Sequence, residues 1–413
     1  MLQRATAPTG EKLVAFGAAL ENAGVVGEAV PAQLAEAVSN SIEGVRAKKS
    51  DTQAVSPLTP SVALLQNLRG MQGVKNPPDL GEILERLFAL GKIHPNDLTA
   101  CGLWSEAAEQ RLYIDPLLAA IDAAADKTLL ETPRTKRDGG LAPRQLTQFP
   151  TDAATPFAWF HDSWTTLTRK EWVEALPGRV WVDWATTVLR LGFGLGYLWE
   201  SLWYETLARK LLSQGTVDVA WDAVRADMSD VIPWRSARSG VQARDVAPLL
   251  GRRSYRADQV RHVIDDWADG KTLSDMTFID ACKSIRSDPN CIARLESALR
   301  STARTQSGKN LWEASQYALL TRTVSGPSAD YYGLLRRNGR FLTVEPGTEW
   351  IAVVASLAAG RPGESTTVAA VLASLDRMGI RPELSDLIVL LERAGLARGS
   401  ADADQAVWVQ AAF

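Results

Sequence analysis

The chain has 413 residues, 46% of them hydrophobic and 23% charged, and a formal net charge of −3. That length predicts two or three domains, because a single core stops growing near about 250 to 300 residues. The near-neutral balance excludes a chain-wide affinity for polyanions and leaves such contact to local basic patches.

Three cysteines, Cys101, Cys282 and Cys291, are too few and too scattered for a disulfide framework or a zinc site with close paired ligands. The N-terminus lacks the charged, apolar and small-residue order of a secretory signal. The most apolar stretch, Trp181 to Tyr204, is broken by Asp183, Arg190 and Glu200, so no membrane span is expected. Together these features predict a cytoplasmic protein.

From about residue 10 to 125 apolar residues recur at helical spacing, as in Leu13, Phe16, Ala19 and Leu20 and again in Ile83, Leu84, Leu87 and Phe88. Asp79 and Glu82, just after Pro77 and Pro78, form a capping-box start. Lys48 to Pro60 reads as a polar loop, and Leu117 to Ala125 as another helix. These residues make a helical domain over 1–126, followed by a linker over 127–156 rich in Pro, Thr, Gly and charge.

Nine of the 14 tryptophans lie between Trp159 and Trp234. Indole buries a large area and seeks a partner for its N–H, so residues 157–326 are expected to form a Trp-rich helical domain. Trp181 with Trp184, and Trp199 with Trp203, sit three and four apart, which is expected to put each pair on one helix face with the rings in reach of each other. Further helices are expected over Ala220 to Met228, Ala257 to Trp267, Ile292 to Thr305 and Leu311 to Leu320. Trp159 beside the linker and Trp234 beside an arginine run are the tryptophans expected to face a partner, since indole is enriched at binding hot spots.

After Gly326-Pro327 a strand signal appears at Arg340 to Val344, then helices over Thr348 to Ala359, Ser365 to Met378 and Pro382 to Ala394. Leu396 to Phe413 follows as two short apolar flanks around a polar turn. This order, ending in "LLERAGLARG…AVWV", resembles a winged-helix domain over 327–413. The resemblance places Glu383 to Arg393 as the recognition helix and Ala397 to Val409 as the wing. The whole chain is thus expected to be mostly α, a multi-domain helical protein with a Trp-rich helical core and a C-terminal winged-helix-like α+β domain.

A winged helix commonly enters a DNA major groove by its third helix. Here Arg340 to Phe413 holds six arginines against nine acids, and the third helix carries Glu383, Asp386 and Glu392. Phosphate neutralisation supplies most duplex affinity, so this face is expected to dock on protein, with Glu383 and Asp386 as partner-binding residues. The better nucleic-acid candidate is the stretch containing Arg235, Arg238, Arg244, Arg252, Arg253, Arg256 and Arg261 with only two aspartates. Trp234 and Tyr255 add stacking surface. The competing reading is a surface run paired with acids such as Asp265, Asp266 and Asp269.

No motif carries chemistry. Gly192, Gly194 and Gly196 lack the strand and spacing of a dinucleotide fingerprint and read as close helix packing or a helix break. The DDWADG run starts like a calcium loop but puts Trp267 and Met276 at ligand positions. His94, His161 and His262 lie far apart, and the pair His161-Asp162 comes with no nucleophile motif, so a structural histidine is favoured. No catalytic residue, metal or cofactor is therefore predicted.

The resulting expectation is a non-catalytic accessory or scaffold subunit of a prokaryotic multi-protein complex acting on nucleic acid. An anti-phage defence assembly is one setting, suggested by analogy of architecture. Its partners would be other protein subunits, with DNA or RNA at Arg235 to Arg261 and no membrane. The alternatives are a free-standing DNA-binding regulator depending on Arg381 and Arg393, and an enzyme with an unrecognised site in the helical domain.

Overall fold

The structure, a computed structural model, describes residues 10–24, 32–33, 35–37, 80–91, 99–128, 154–213, 218–271, 276–321, 331–398 and 408–413. The Asp79 cap, the Lys48 to Pro60 loop, His94, most of the linker and the tip of the expected wing lie outside the described residues. The architecture is mostly α, with, among the described residues, small antiparallel sheets only in the C-terminal part.

The centre is one helix, α7 (Gly178–Leu212), 35 residues long and therefore about 52 Å from end to end. It runs without a break through Gly192, Gly194 and Gly196 because each glycine meets a neighbouring side chain. A Cβ at these positions would fall 2.4 Å from Phe160, 2.6 Å from Leu319 and 2.6 Å from Phe157. Those partners sit on α5 (Pro156–Leu167) and α12 (Gln306–Leu319), which pack along α7 together with α9 (Ala247–Ala268). Arg190, buried in α7, donates to the Ala318 and Leu320 carbonyls at 2.7 and 3.0 Å and so satisfies the end of α12.

Upstream lie α1 (Glu11–Asn22), α2 (Leu80–Gly91), α3 (Ala100–Ile114) and α4 (Pro116–Thr128). Helix α2 packs on α5, while the Glu85 carboxylate accepts the Ala100 and Cys101 amides at 2.9 and 2.7 Å, capping α3 from a neighbouring element. Arg111 of α3 reaches the Val173 and Leu176 carbonyls at the end of α6 (Lys170–Ala175).

The tryptophans account for much of this interior. Seven of the nine between Trp159 and Trp234 are buried, leaving Trp221 and Trp234 half-buried. Trp181 stacks on Trp104 at 4.3 Å and Trp184 tilts onto Trp172 at 5.5 Å. Against expectation, the Trp181 and Trp184 rings meet adjacent helices rather than each other, each drawn to an indole of a neighbouring element. Trp164 and Trp181 donate their indole N–H to the Ala100 and Leu167 carbonyls, both at 3.1 Å.

Beyond α7 come α8 (Trp221–Ala226), α9, α10 (Phe278–Arg286), α11 (Pro289–Arg300) and α12. Helix α9 starts ten residues before the expected Ala257, with Pro248 in its first turn, where proline is tolerated. Its early turns carry arginines and no apolar stripe. A hairpin of β1 (Leu335–Asn338) and β2 (Phe341–Val344) follows, with Asn338 opposite Phe341 and Gly339 at φ 62 in the turn. The first of these strands was not expected, because LRRN shows no apolar alternation. The hairpin is bonded to the helical unit: Leu334 N–H to Leu319 O, Thr321 N–H to Leu335 O and Val246 N–H to Leu342 O.

The C-terminal part runs α13 (Thr348–Ala359), β3 (Ser365–Thr367), α14 (Val368–Arg377), α15 (Leu384–Arg393), β4 (Ala397–Arg398) and β5 (Trp408–Gln410). Its sheet has the order β3-β5-β4, antiparallel throughout. Ser365 to Thr367, expected as helix, pair with β5 instead, in keeping with the strand preference of threonine. Pro382 lies just before the Glu383 cap of α15 rather than inside the first turn.

This part is tied to the Trp-rich helices by side chains of both. Trp159 donates to Ser374 Oγ at 3.0 Å, Trp172 to the Gly360 carbonyl at 3.1 Å, and Arg377 to Asp162 at 2.5 Å. The Val231 N–H reaches the Gly379 carbonyl at 2.8 Å, and a connected set of buried apolar residues extends from Leu84 to Ala411.

Candidate functional site

The arginine stretch divides in two. On α9, Arg253 is buried, donating to the Val231 carbonyl at 2.8 Å and lying 3.8 Å from Glu205; burial pushes its pKa down, with Glu205 and Asp230 opposing. Arg256 lies 3.5 Å from the same glutamate. Arg261 pairs with Asp258 at 3.2 Å and with Asp265 at 3.8 Å. Asp258, itself buried, also accepts from the Thr305 and Ser307 hydroxyls at 2.7 and 2.5 Å. Arg253 and Arg256 are therefore engaged in holding α9 to its neighbours and Arg261 in ion pairs within α9 itself, which corrects the expectation that all seven face a polyanion. Arg252 is exposed and, among the described residues, bonded only to the Pro248 carbonyl one turn back.

The other half, Arg235, Arg238 and Arg244, lies on the loop that leads into α9. Two bonds hold this loop against the hairpin: Val246 N–H to Leu342 O at 2.9 Å and Leu342 N–H to Asp245 Oδ1 at 3.0 Å. Arg244 then meets Glu345 at 3.4 Å, and Arg336 of β1 approaches that carboxylate at 4.0 Å. Asn338 and Thr343 also donate to Glu345, at 2.6 and 2.8 Å, so this one acid organises the hairpin base.

These elements form one wall of a cleft of about 740 Å³, and α15 forms the other. Trp234, Arg235, Arg244, Arg336 and Glu345 line the first wall; Asp386, Val389 and Arg393 line the second. Four arginines face two carboxylates, a local surplus of two positive charges. The Trp234 ring sits edge-on to buried Trp350, with centroids 6.4 Å apart and planes at 74°, which braces it. Arg238, Arg337 and Arg340 are exposed on the adjoining loop and hairpin.

Asp386 differs from the cleft's other acid. Its Oδ2 is shielded from solvent and finds no hydrogen-bond donor among the described residues. Arg393 is exposed, with no carboxylate at ion-pair distance among the described residues. Glu383, Leu384 and Glu392 are exposed on α15 away from the cleft lining, giving that helix a mixed acidic and apolar outer face.

Of the residues singled out from sequence, the cleft brings together Trp234, Arg235, Arg244, Asp386 and Arg393. Trp159 does not belong with them. It is 2% exposed, its indole fixed on Ser374 of the same chain, so the residue expected to face a partner is an internal strut. The hairpin arginines were missed, although RRNGR over 336–340 has three arginines and no acid and could have flagged them.

His161 is buried, stacked on Phe88 at 4.2 Å, with Nδ1 3.3 Å from Asp162. Among the described residues no cluster of histidine, cysteine, aspartate or glutamate could hold a metal ion, and no helix is long and apolar enough to cross a membrane. No protein-family model matches the chain, and no curated protein does.

Proposed function

We propose that this protein is a non-catalytic subunit of an assembly that acts on nucleic acid, contacting the nucleic acid through the arginine-lined cleft. The observation that carries the reading is the convergence of Arg235, Arg244, Arg336 and Arg393, from three separate segments, around Trp234. Guanidinium groups suit planar contact with phosphate, and a braced indole beside them supplies a stacking surface. The element order α13-β3-α14-α15-β4-β5 with sheet order β3-β5-β4 supports the winged-helix resemblance. The acidic and apolar outer face of α15 favours a protein partner there.

A free-standing duplex-binding regulator is less well supported. Arg381, on which that reading depends, bonds to Asp376 at 2.6 Å and to Asp230 at 3.1 Å, and the bond to Asp376 is the leading cause of its raised pKa.

Fluorescence anisotropy with labelled oligonucleotides across a salt series tests the cleft. Binding is expected to weaken linearly on a log–log plot, and each of Arg235→Glu, Arg336→Glu and Arg393→Glu to flatten the slope by about 0.7 on a single strand. Affinity unchanged in the triple variant overturns the assignment. Purification from the native host as a lone monomer overturns the subunit role.

A further inference from the structure

We propose that α9 and α12 form a phosphate-binding notch at Gly251, outside the cleft, in which the Trp312 indole N–H donates to a phosphate oxygen and Arg252 and Arg304 supply the charge. This rests on reading the protein as a subunit that contacts nucleic acid, and it adds a second point at which a strand is held.

Gly251 is the starting point. It lies in the second turn of α9, where a Cβ would stand 3.6 Å from Trp312 Nε1 on α12 and 3.8 Å from Tyr255 Cε2. Unlike the glycines of α7, this one is not required by packing, since 3.6 Å is an ordinary van der Waals contact. Its missing side chain leaves the edge of the indole uncovered. Trp312 is 8% exposed, and its N–H finds no acceptor among the described residues. Unlike the shielded nitrogen of Trp350, however, this one is reached by solvent. Indole N–H is a donor only, so the open position takes an acceptor.

The surroundings select an anion. Arg252 follows Gly251 in sequence, and the Arg304 guanidinium lies 5.8 Å from the centroid of the Tyr255 ring. Both arginines are exposed, with no carboxylate at ion-pair distance among the described residues. Two acids on these helices are already paired: Glu205 of α7 with Arg209 at 2.7 Å and Arg256 at 3.5 Å, and Glu313 with Lys309 at 3.8 Å. A neutral acceptor would leave the two guanidinium charges unanswered. Phosphate accepts from the indole and pairs with them as well.

The notch is also close to the cleft. Gly251 is five residues from Val246, and so about 7.5 Å along α9 from the amide that bonds to Leu342 of the hairpin. One strand can therefore meet Arg244 and Arg336 in the cleft and place a further phosphate at Gly251.

The test measures anisotropy of a labelled twelve-residue thymidine strand with full-length protein across a salt series. Trp312→Phe keeps an aromatic ring in place and removes the donor; it is expected to weaken binding about tenfold with the salt slope unchanged. Gly251→Ala covers the indole edge and is expected to weaken binding by a similar factor. Urea unfolding is expected to find that variant at least as stable as the parent, because its Cβ meets only ordinary contacts and alanine favours the helix. Arg252→Glu and Arg304→Glu are each expected to flatten the salt slope by about 0.7. Parent-like affinity in Trp312→Phe, or in a folded Gly251→Ala, overturns the notch and leaves the cleft standing, since neither residue lines it. Failure of the strand to bind the parent protein overturns both. Inorganic phosphate is titrated in parallel by calorimetry. If it binds the parent as tightly as the strand does, and Gly251→Ala abolishes that binding, the ligand is a free anion and the strand assignment is overturned.

Discussion

Replacing Gly192 with alanine puts one methyl group where α7 and α5 touch. The new Cβ would lie 2.4 Å from Phe160 Cδ2 and 2.7 Å from Cγ, whereas carbon atoms rest about 3.5 to 4.0 Å apart. The overlap is thus about 1 Å, and the Phe160 ring has nowhere to retreat: it is fully buried, with Trp164 5.7 Å away on its own helix. Overpacking of this kind costs about 1 to 3 kcal/mol, here near the upper end because two ring atoms are struck. Alanine recovers about 1 kcal/mol of helix propensity, leaving a net loss of about 2 kcal/mol.

Urea unfolding followed by tryptophan emission measures this directly, since Trp164 neighbours the strained ring. Gly240→Ala serves as control: its Cβ meets nothing within 4 Å, so that change is expected to be neutral or slightly stabilising. Trimming the obstacle with Phe160→Leu is expected to absorb part of the Gly192→Ala penalty, a positive coupling in a double-mutant cycle. A Gly192→Ala protein as stable as the parent, or additive costs in the double variant, would refute the close helix contact.

Two further outcomes follow from buried groups. Trp159→Phe removes the indole donor to Ser374 Oγ and is expected to cost about 1 to 2 kcal/mol, with limited proteolysis of the C-terminal part rising before that of α7; equal protection throughout would contradict the strut role. Burial pushes the Cys282 thiol up to about 12, above the value near 9 of an exposed thiol. The unfolded chain therefore loses this proton first, so the contribution is complete below about pH 9 and is lost as pH rises toward 12. Cys282→Ala is expected to flatten the alkaline decline in stability by up to about 1.4 kcal/mol per pH unit, and identical slopes for the two proteins would count against it.

Helices with a clear apolar stripe were legible along the chain. Helix α13 spans the expected Thr348 to Ala359, and of the two readings open for the glycines of α7, close packing and a helix break, the structure shows the first. The early turns of α9 were not legible, since their arginines bond to carbonyls and carboxylates from distant parts of the chain. Trp159 was misjudged because nearness to a linker suggested exposure. Thr155, however, caps α5 through the Ala158 N–H at 3.1 Å, and the chain enters the core at once. At the cleft, Trp234, Arg235 and Arg244 belong to one arginine-rich stretch of sequence, and Asp386 to a helix about 140 residues on. Their meeting depends on a loop bonded to a hairpin nearly a hundred residues later, a long-range pairing that local pattern does not encode.

The bonds from Trp159 and Trp172 into the C-terminal part bear on how the chain can be dissected. Cutting at 326/327 would strand two indole donors in an apolar wall on one fragment and expose the face that covered them on the other. The C-terminal element is therefore not a cassette to be transplanted or assayed in isolation. Fusion, truncation and swap designs should keep it with α5 through α7, or replace both indoles when they do not.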